Sequence, residues 1–204
     1  MMKRMIAICL LGLMLGSGSI QAAVTPPQDV VQDTSTRMID ALRKNRAVID
    51  REPGRLYDLV DQIVLPNFDF ELMSRWVLGR AWQQASPDQR RRFTEEFRTL
   101  LVRTYAKALL EYSGEDIRLL PQPTVGDGSE VTVKTEVRLK AGRPIQINYS
   151  MHLNNDGWKV YDVKVDGVSL VTNYRSTFAN QIRANGMDSV IADLQQRNTA
   201  QGSR

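Results

Sequence analysis

The groups able to do chemistry are few and scattered. His152 is the single histidine of the 204 residues, and Cys9 is the single cysteine. Tyr161, Asp162 and Asp166 lie close together in sequence, and two carboxylates beside a phenol in a cleft could shuttle a proton in a small-molecule isomerisation. Against that, Asp162 has the parity of a wet strand face, and Asp166-Gly167 reads as a turn. His152 shares the outward parity, which predicts a lone surface imidazole. No Gly-rich phosphate loop and no set of His, Cys, Asp and Glu at a recognised metal-ligand spacing occurs in the sequence. No metal is expected and no catalytic residue is assigned.

These groups sit on the stretch from Ser129 to Asp166, where the period is two. Val131, Val133, Thr135, Val137 and Leu139 alternate with polar residues, and Ile145, Ile147, Tyr149, Met151 and Leu153 repeat the pattern. Turn chemistry at Ala141-Gly142 and at Asn154 to Gly157 separates the runs. The pattern predicts an antiparallel meander with one apolar and one wet face. In the third run, apolar residues change from even positions (Trp158, Val160) to odd ones (Val163, Val165). That predicts a bulge near Val160-Tyr161, with an ordinary irregularity as the alternative.

Helical periods flank the meander. They predict helices over about 28–45, from Leu56 to a stop at Pro66, and from an N-cap near Asn67-Phe68-Asp69 to Gly79. Ser86-Pro87-Asp88-Gln89 is a capping box that opens the longest expected helix, ending at Ser113-Gly114 and laid across the sheet. Ile117 to Leu120 reads as a short edge strand. Two more helices follow, one from Ser169 to Asn185 and one over 188–197. The fold class is α+β in one domain: helical 26–114, sheet 115–168, C-terminal helices 169–198, with a curved meander covered by amphipathic helices.

The first 22 residues read as a cleaved export signal. Lys3 and Arg4 precede the apolar run Ile6 to Leu15, and small residues end at Ala22-Ala23. The chain has 27 basic and 23 acidic residues, and two of the basic ones lie in this leader. The mature balance of 25 to 23 is too even to argue for nucleic acid. Without Cys9 no disulfide is available, so the mature domain must rest on its apolar burial.

Inward phase selects Leu59, Ile63, Met73 and Trp76 on the early helices, Phe97, Leu101 and Tyr105 on the capped helix, and Tyr174 near the end. Parity adds Val133, Val137, Ile147, Tyr149, Met151, Val163 and Val165. Periodicity alone leaves two readings open for this surface: a filled core, or the wall of a long apolar cavity between sheet and helices. The capped helix is also basic through Arg90, Arg91, Arg98 and Lys107. That face is either solvated or a docking surface for acidic partners or anionic head groups.

Two blocks carry a resemblance. VLGRAWQQASPDQRRRFTEEFRTLLVRTYAKALLEY (Val77 to Tyr112) and WKVYDVKVDGVSLVTNYRSTFANQI (Trp158 to Ile182) are similar to the hallmarks of the toluene-tolerance family, the periplasmic phospholipid-binding MlaC proteins. The resemblance implies a monomeric, non-enzymatic periplasmic carrier with acyl chains in the pocket, so the inward-phase residues above become candidate lipid-lining residues. It implies phospholipid as cargo and no cofactor. Its implied partners are an inner-membrane lipid ABC transporter with a periplasmic substrate-binding subunit, and an outer-membrane lipoprotein–porin complex. The alternatives are the curved-sheet isomerase and a non-lipid periplasmic adaptor of an ABC transporter. N-terminal sequencing of the exported protein should begin at Ala23 or Val24; a lipidated Cys9 as first residue would refute the leader assignment.

Overall fold

The computed structural model describes residues 24–111, 117–121, 128–138 and 143–202. The expected leader, the Ser113-Gly114 stop and the Ala141-Gly142 turn lie outside them. The opening helix α1 (Pro27–Ile49) has proline in its first turn, where no amide partner is lost, and buries Val31, Met38, Leu42 and Ile49 along one stripe. Helix α2 (Gly54–Ile63) buries Leu56, Leu59 and Val60 and gives way to a 3-10 turn at Leu65–Asn67, which contains Pro66. Then come α3 (Phe70–Leu78), α4 (Arg80–Gln84), α5 (Pro87–Tyr105) and α6 (Ala108–Glu111).

Five strands follow: β1 (Ile117–Leu119), β2 (Glu130–Val137), β3 (Ile145–Asn154), β4 (Gly157–Val165) and β5 (Val168–Ser169). They form one antiparallel meander in sequence order. Helices α7 (Leu170–Asn185) and α8 (Met187–Gly202) close the described chain. The α+β arrangement matches the sequence expectation.

The bulge falls where the phase change puts it. Ser150 pairs with Asp162 and Met151 with Val160, so Tyr161 is the extra residue. The insertion returns Val160 and Val163 to the same face as Val133 and Met151, and all four are buried together with Val31 of α1. The opposite face is not uniformly wet as expected. Ser150 and Asp162 are buried, and His152 keeps only 18% of its side-chain surface exposed. The N-terminal ends of α3 and α7 dock there: Asp162 meets an amide of α7, and His152 meets Asp69, which caps α3.

The longest helix is α1, with 23 residues, rather than α5, with 19. Helix α5 stops at Tyr105, and a turn at Ala106–Lys107 separates it from α6. Nor does α5 lie across the sheet: it packs on α8, α3 and α2. Its stripe of Phe93, Phe97 and Leu101 meets α7 and α8 instead, with Phe93 edge-on to Phe178 at 5.2 Å between centroids. Trp82 is buried on α4 in the same cluster.

Between α3 and α4, Gly79 adopts φ 53° and ψ −117°, a region open in practice to glycine. A Cβ there would stand 3.3 Å from the Arg175 guanidinium on α7. Gly79→Ala should therefore lower the unfolding free energy by about 1–3 kcal/mol, read as an earlier urea midpoint at unchanged slope.

Candidate functional site

Helix ends leave unpaired amides, and two carboxylates meet them at the sheet. Asp69 accepts from the Leu72 amide at 2.8 Å, capping α3, and lies 2.9 Å from His152 Nε2 on β3. The Asp69 amide donates to the Val160 carbonyl at 2.9 Å, so the segment before α3 lies along the outer edge of β4, where Phe68 makes a parallel bridge with Val160. Asp162 accepts from Ser169 Oγ at 2.7 Å and from the Val171 amide at 3.1 Å. Ser169 Oγ in turn accepts from the Thr172 amide and caps α7.

These contacts decide the acid/base question. Asp162 is occupied by α7. Asp166 sits at φ 49° beside Gly167 at φ 84°, in the β4–β5 turn, where its carboxylate accepts from the Gln146 amide and from Arg143. The Tyr161 hydroxyl points to Glu130 at 3.5 Å, and burial, reinforced by that carboxylate, raises its pKa. Each of the three groups is hydrogen-bonded to a different partner. Among the described residues no cluster of three or more His, Cys, Asp or Glu could hold a metal ion.

The inward-phase residues do not form one lining. Met73, Phe97 and Leu101 belong to a cluster shared by α3, α5, α7 and α8, with Tyr174 packed against it. Leu59 belongs to a second cluster, between α1 and α2, with Ile63 against it. Val133, Met151 and Val163 form the sheet cluster, flanked by Ile147 and Tyr149. Val137 is buried at the end of β2, whereas Trp76 is 49%, Tyr105 38% and Val165 37% exposed.

The clusters join in pairs without merging. Helix α5 links the first two through Leu101 and Val102, α1 links the second to the sheet through Met38 and Val31, and Phe68 links the first to the sheet. At the end of α5 the Tyr105 hydroxyl bonds Tyr174. Burial, and then that neighbour, push the Tyr105 pKa up to about 12. Burial also raises the pKa of Tyr149, opposed by a hydrogen bond with Thr135. Sequence reasoning passed over Phe68 and Asp69 as anchors. The Asn67-Phe68-Asp69 cap signal marked the helix start, but nothing local marks its pairing with Val160.

The basic face of α5 is largely neutralised within the chain. Arg90 donates to the Trp82 carbonyl at 2.8 Å and lies over the Trp82 ring. Arg91 bridges Asp88 and Glu95; hydrogen bonds from Arg91 and Arg92 hold the Asp88 carboxyl below its usual range. Arg98 pairs with Asp61 at 2.7 Å. Lys107 is exposed beyond the end of α5.

A five-stranded open meander with one apolar cluster on the sheet and two among the helices places the chain among mixed α+β proteins. The family model described as MlaC protein matches residues 32–196, and the chain belongs to that family. It is 30% identical to the toluene tolerance protein Ttg2D of Pseudomonas putida, over 88% of this chain and 83% of that one. It is 27% identical to the intermembrane phospholipid transport system binding protein MlaC of Haemophilus influenzae, over 85% of this chain and 83% of that one. A phospholipid-binding protein from Ralstonia solanacearum, solved in complex with a phospholipid, shares the fold at a TM-score of 0.80 and 27% identity, covering 87% of this chain and 99% of the other.

The raised Tyr105 pKa has a definite sign. The fold favours the neutral phenol, so its contribution is complete below the ordinary value of 10.0 and is lost as pH rises through about 12. Over that range the urea midpoint of the wild type should fall more steeply than that of Tyr105→Phe. Parallel curves would place the Tyr105 hydroxyl in ordinary solvent.

Proposed function

We propose that this protein is a periplasmic phospholipid carrier whose acyl chains lie in the seam between the sheet cluster and the α1–α2 cluster. The observation that carries the reading is the likeness, over most of both chains, to a protein solved with a phospholipid bound. The unmerged clusters support it: an apolar sheet face and an apolar helical wall meet through α1 rather than through a shared packed core. The relative named as an intermembrane transport system's binding protein supports a transport role. The leader supports export. In this reading the carrier exchanges lipid with an inner-membrane ABC transporter through its periplasmic substrate-binding subunit and with an outer-membrane lipoprotein–porin complex, maintaining outer-membrane lipid asymmetry.

The energetics suit a carrier. Burying about 30 methylenes at about 0.8 kcal/mol each is worth on the order of 24 kcal/mol against water. Against a bilayer the same tails are already dry, so the net preference is close to zero. Lipid is thus held tightly in water yet released reversibly at an acceptor.

Native mass spectrometry of the purified protein should show co-purified phospholipid. Ile147→Glu places an unpaired charge beside the sheet cluster and should abolish lipid retention, while Lys164→Gln, at an exposed position, should retain it. A folded wild type without lipid would overturn the carrier reading, and a folded Ile147→Glu protein with a full load would move the site elsewhere.

A further inference from the structure

One face of α3 exposes an indole beside arginines. Met73, Ser74 and Val77 are buried toward the helical cluster. The opposite stripe carries Leu72, Arg75, Trp76 and Gly79, spaced as one face of a helix. Trp76, at 49%, is the most exposed aromatic side chain among the described residues. Gly79 lies one turn beyond both Arg75 and Trp76, and over it sits the Arg175 guanidinium from α7. Arg80 follows directly. Arg75, Arg80 and Arg175 form no ion pair among the described residues, whereas Arg91, Arg92 and Arg98 of α5 all do. The single acidic residue within α3, Glu71, lies one turn before Arg75 on the same side of the helix, but these two described residues form no ion pair. Here arginines without ion pairs surround a protruding indole.

We propose that this face docks the protein on an anionic lipid surface, with the Trp76 indole at headgroup level and Arg75, Arg80 and Arg175 on lipid phosphates. Indoles favour the water–hydrocarbon boundary, and guanidinium groups recognise phosphate oxygens in a planar fork. A protein partner would need about 800 Å² of complementary surface with several buried anchors. This face offers one indole and Leu72 ringed by cations, which suits a shallow, reversible contact. The inference rests on the carrier reading, because a protein that hands over lipid gains from being held at a bilayer.

The test is sedimentation with vesicles of equal parts phosphatidylglycerol and phosphatidylcholine, against phosphatidylcholine alone, with bound lipid measured in parallel by native mass spectrometry. The protein should bind the anionic vesicles, ignore the neutral ones, and lose binding in about 1 M salt, where the Debye length is about 3 Å. Arg75→Gln/Arg80→Gln should weaken binding by about thirtyfold, the loss of two headgroup contacts, while keeping its lipid load. Trp76→Ser should remove most of the blue shift of tryptophan emission on binding, since Trp82 is already buried and Trp158 is half-buried against the sheet cluster. Arg91→Gln/Arg98→Gln, which alters paired arginines, should bind as the wild type does. Absence of binding to anionic vesicles, equal binding to neutral ones, or indifference to the α3 variants overturns the proposal. If the α3 variants lose only binding to an acidic protein, the face belongs to that partner and the lipid assignment falls. A wild type that binds vesicles but carries no lipid would overturn the carrier reading alone.

Discussion

Two carboxylates hold the helices to the sheet. Asp69 caps α3 and reaches His152; Asp162 caps α7 from within β4. Hydrogen bonds to charged acceptors contribute about 1.5–3 kcal/mol each, more than neutral ones, and leaving a buried carboxylate without donors would cost more still. Helices α3 and α7 pack on one another and provide the wall that α5 and α8 complete. Helices α3 and α7 are therefore positioned by groups on two adjacent strands, His152 of β3 and Asp162 of β4. The bulge at Tyr161 makes this possible: it sets Asp162 opposite Ser150 while leaving Val160 and Val163 on the apolar face.

Local signals were legible in the sequence, and remote ones were not. Strand alternation, the phase change at Val160-Tyr161 and the caps at Asp69, Ser86 and Ser169 all operate within a few residues, so the residue types suffice to read them. His152 and Asp162 were correctly grouped on one face. Their burial depends on helix ends arriving from distant sequence, which parity does not encode. Likewise the stripe of α5 shows that Phe93, Phe97 and Leu101 are inward, but not that inward means α7 and α8.

The same limit governs the candidate site. Helical phase gives a direction, not a depth or a neighbour, so residues sharing an inward phase were divided among three clusters. Trp76 shows how narrow the margin is: in a helix of nine residues, one position separates it from the wholly buried Val77. Charge counting failed on α5 for a related reason. Asp61 and Asp188, which neutralise Arg98 and Arg92, come from α2 and α8 and cannot be assigned by spacing.

The pairwise joining of the apolar clusters bears on how the molecule breathes. Parts that share little buried surface open with less than the global unfolding free energy, and each opens as its own cooperative unit. Helix α1 has its first turns on the sheet and its later turns on α2. Releasing those first turns uncovers the sheet face and parts it from the α1–α2 cluster, while α3 and α7 stay anchored to β3 and β4. The amides of the N-terminal half of α1 should therefore exchange with solvent hydrogen before those of β3 or α5, the fold gaping there without melting.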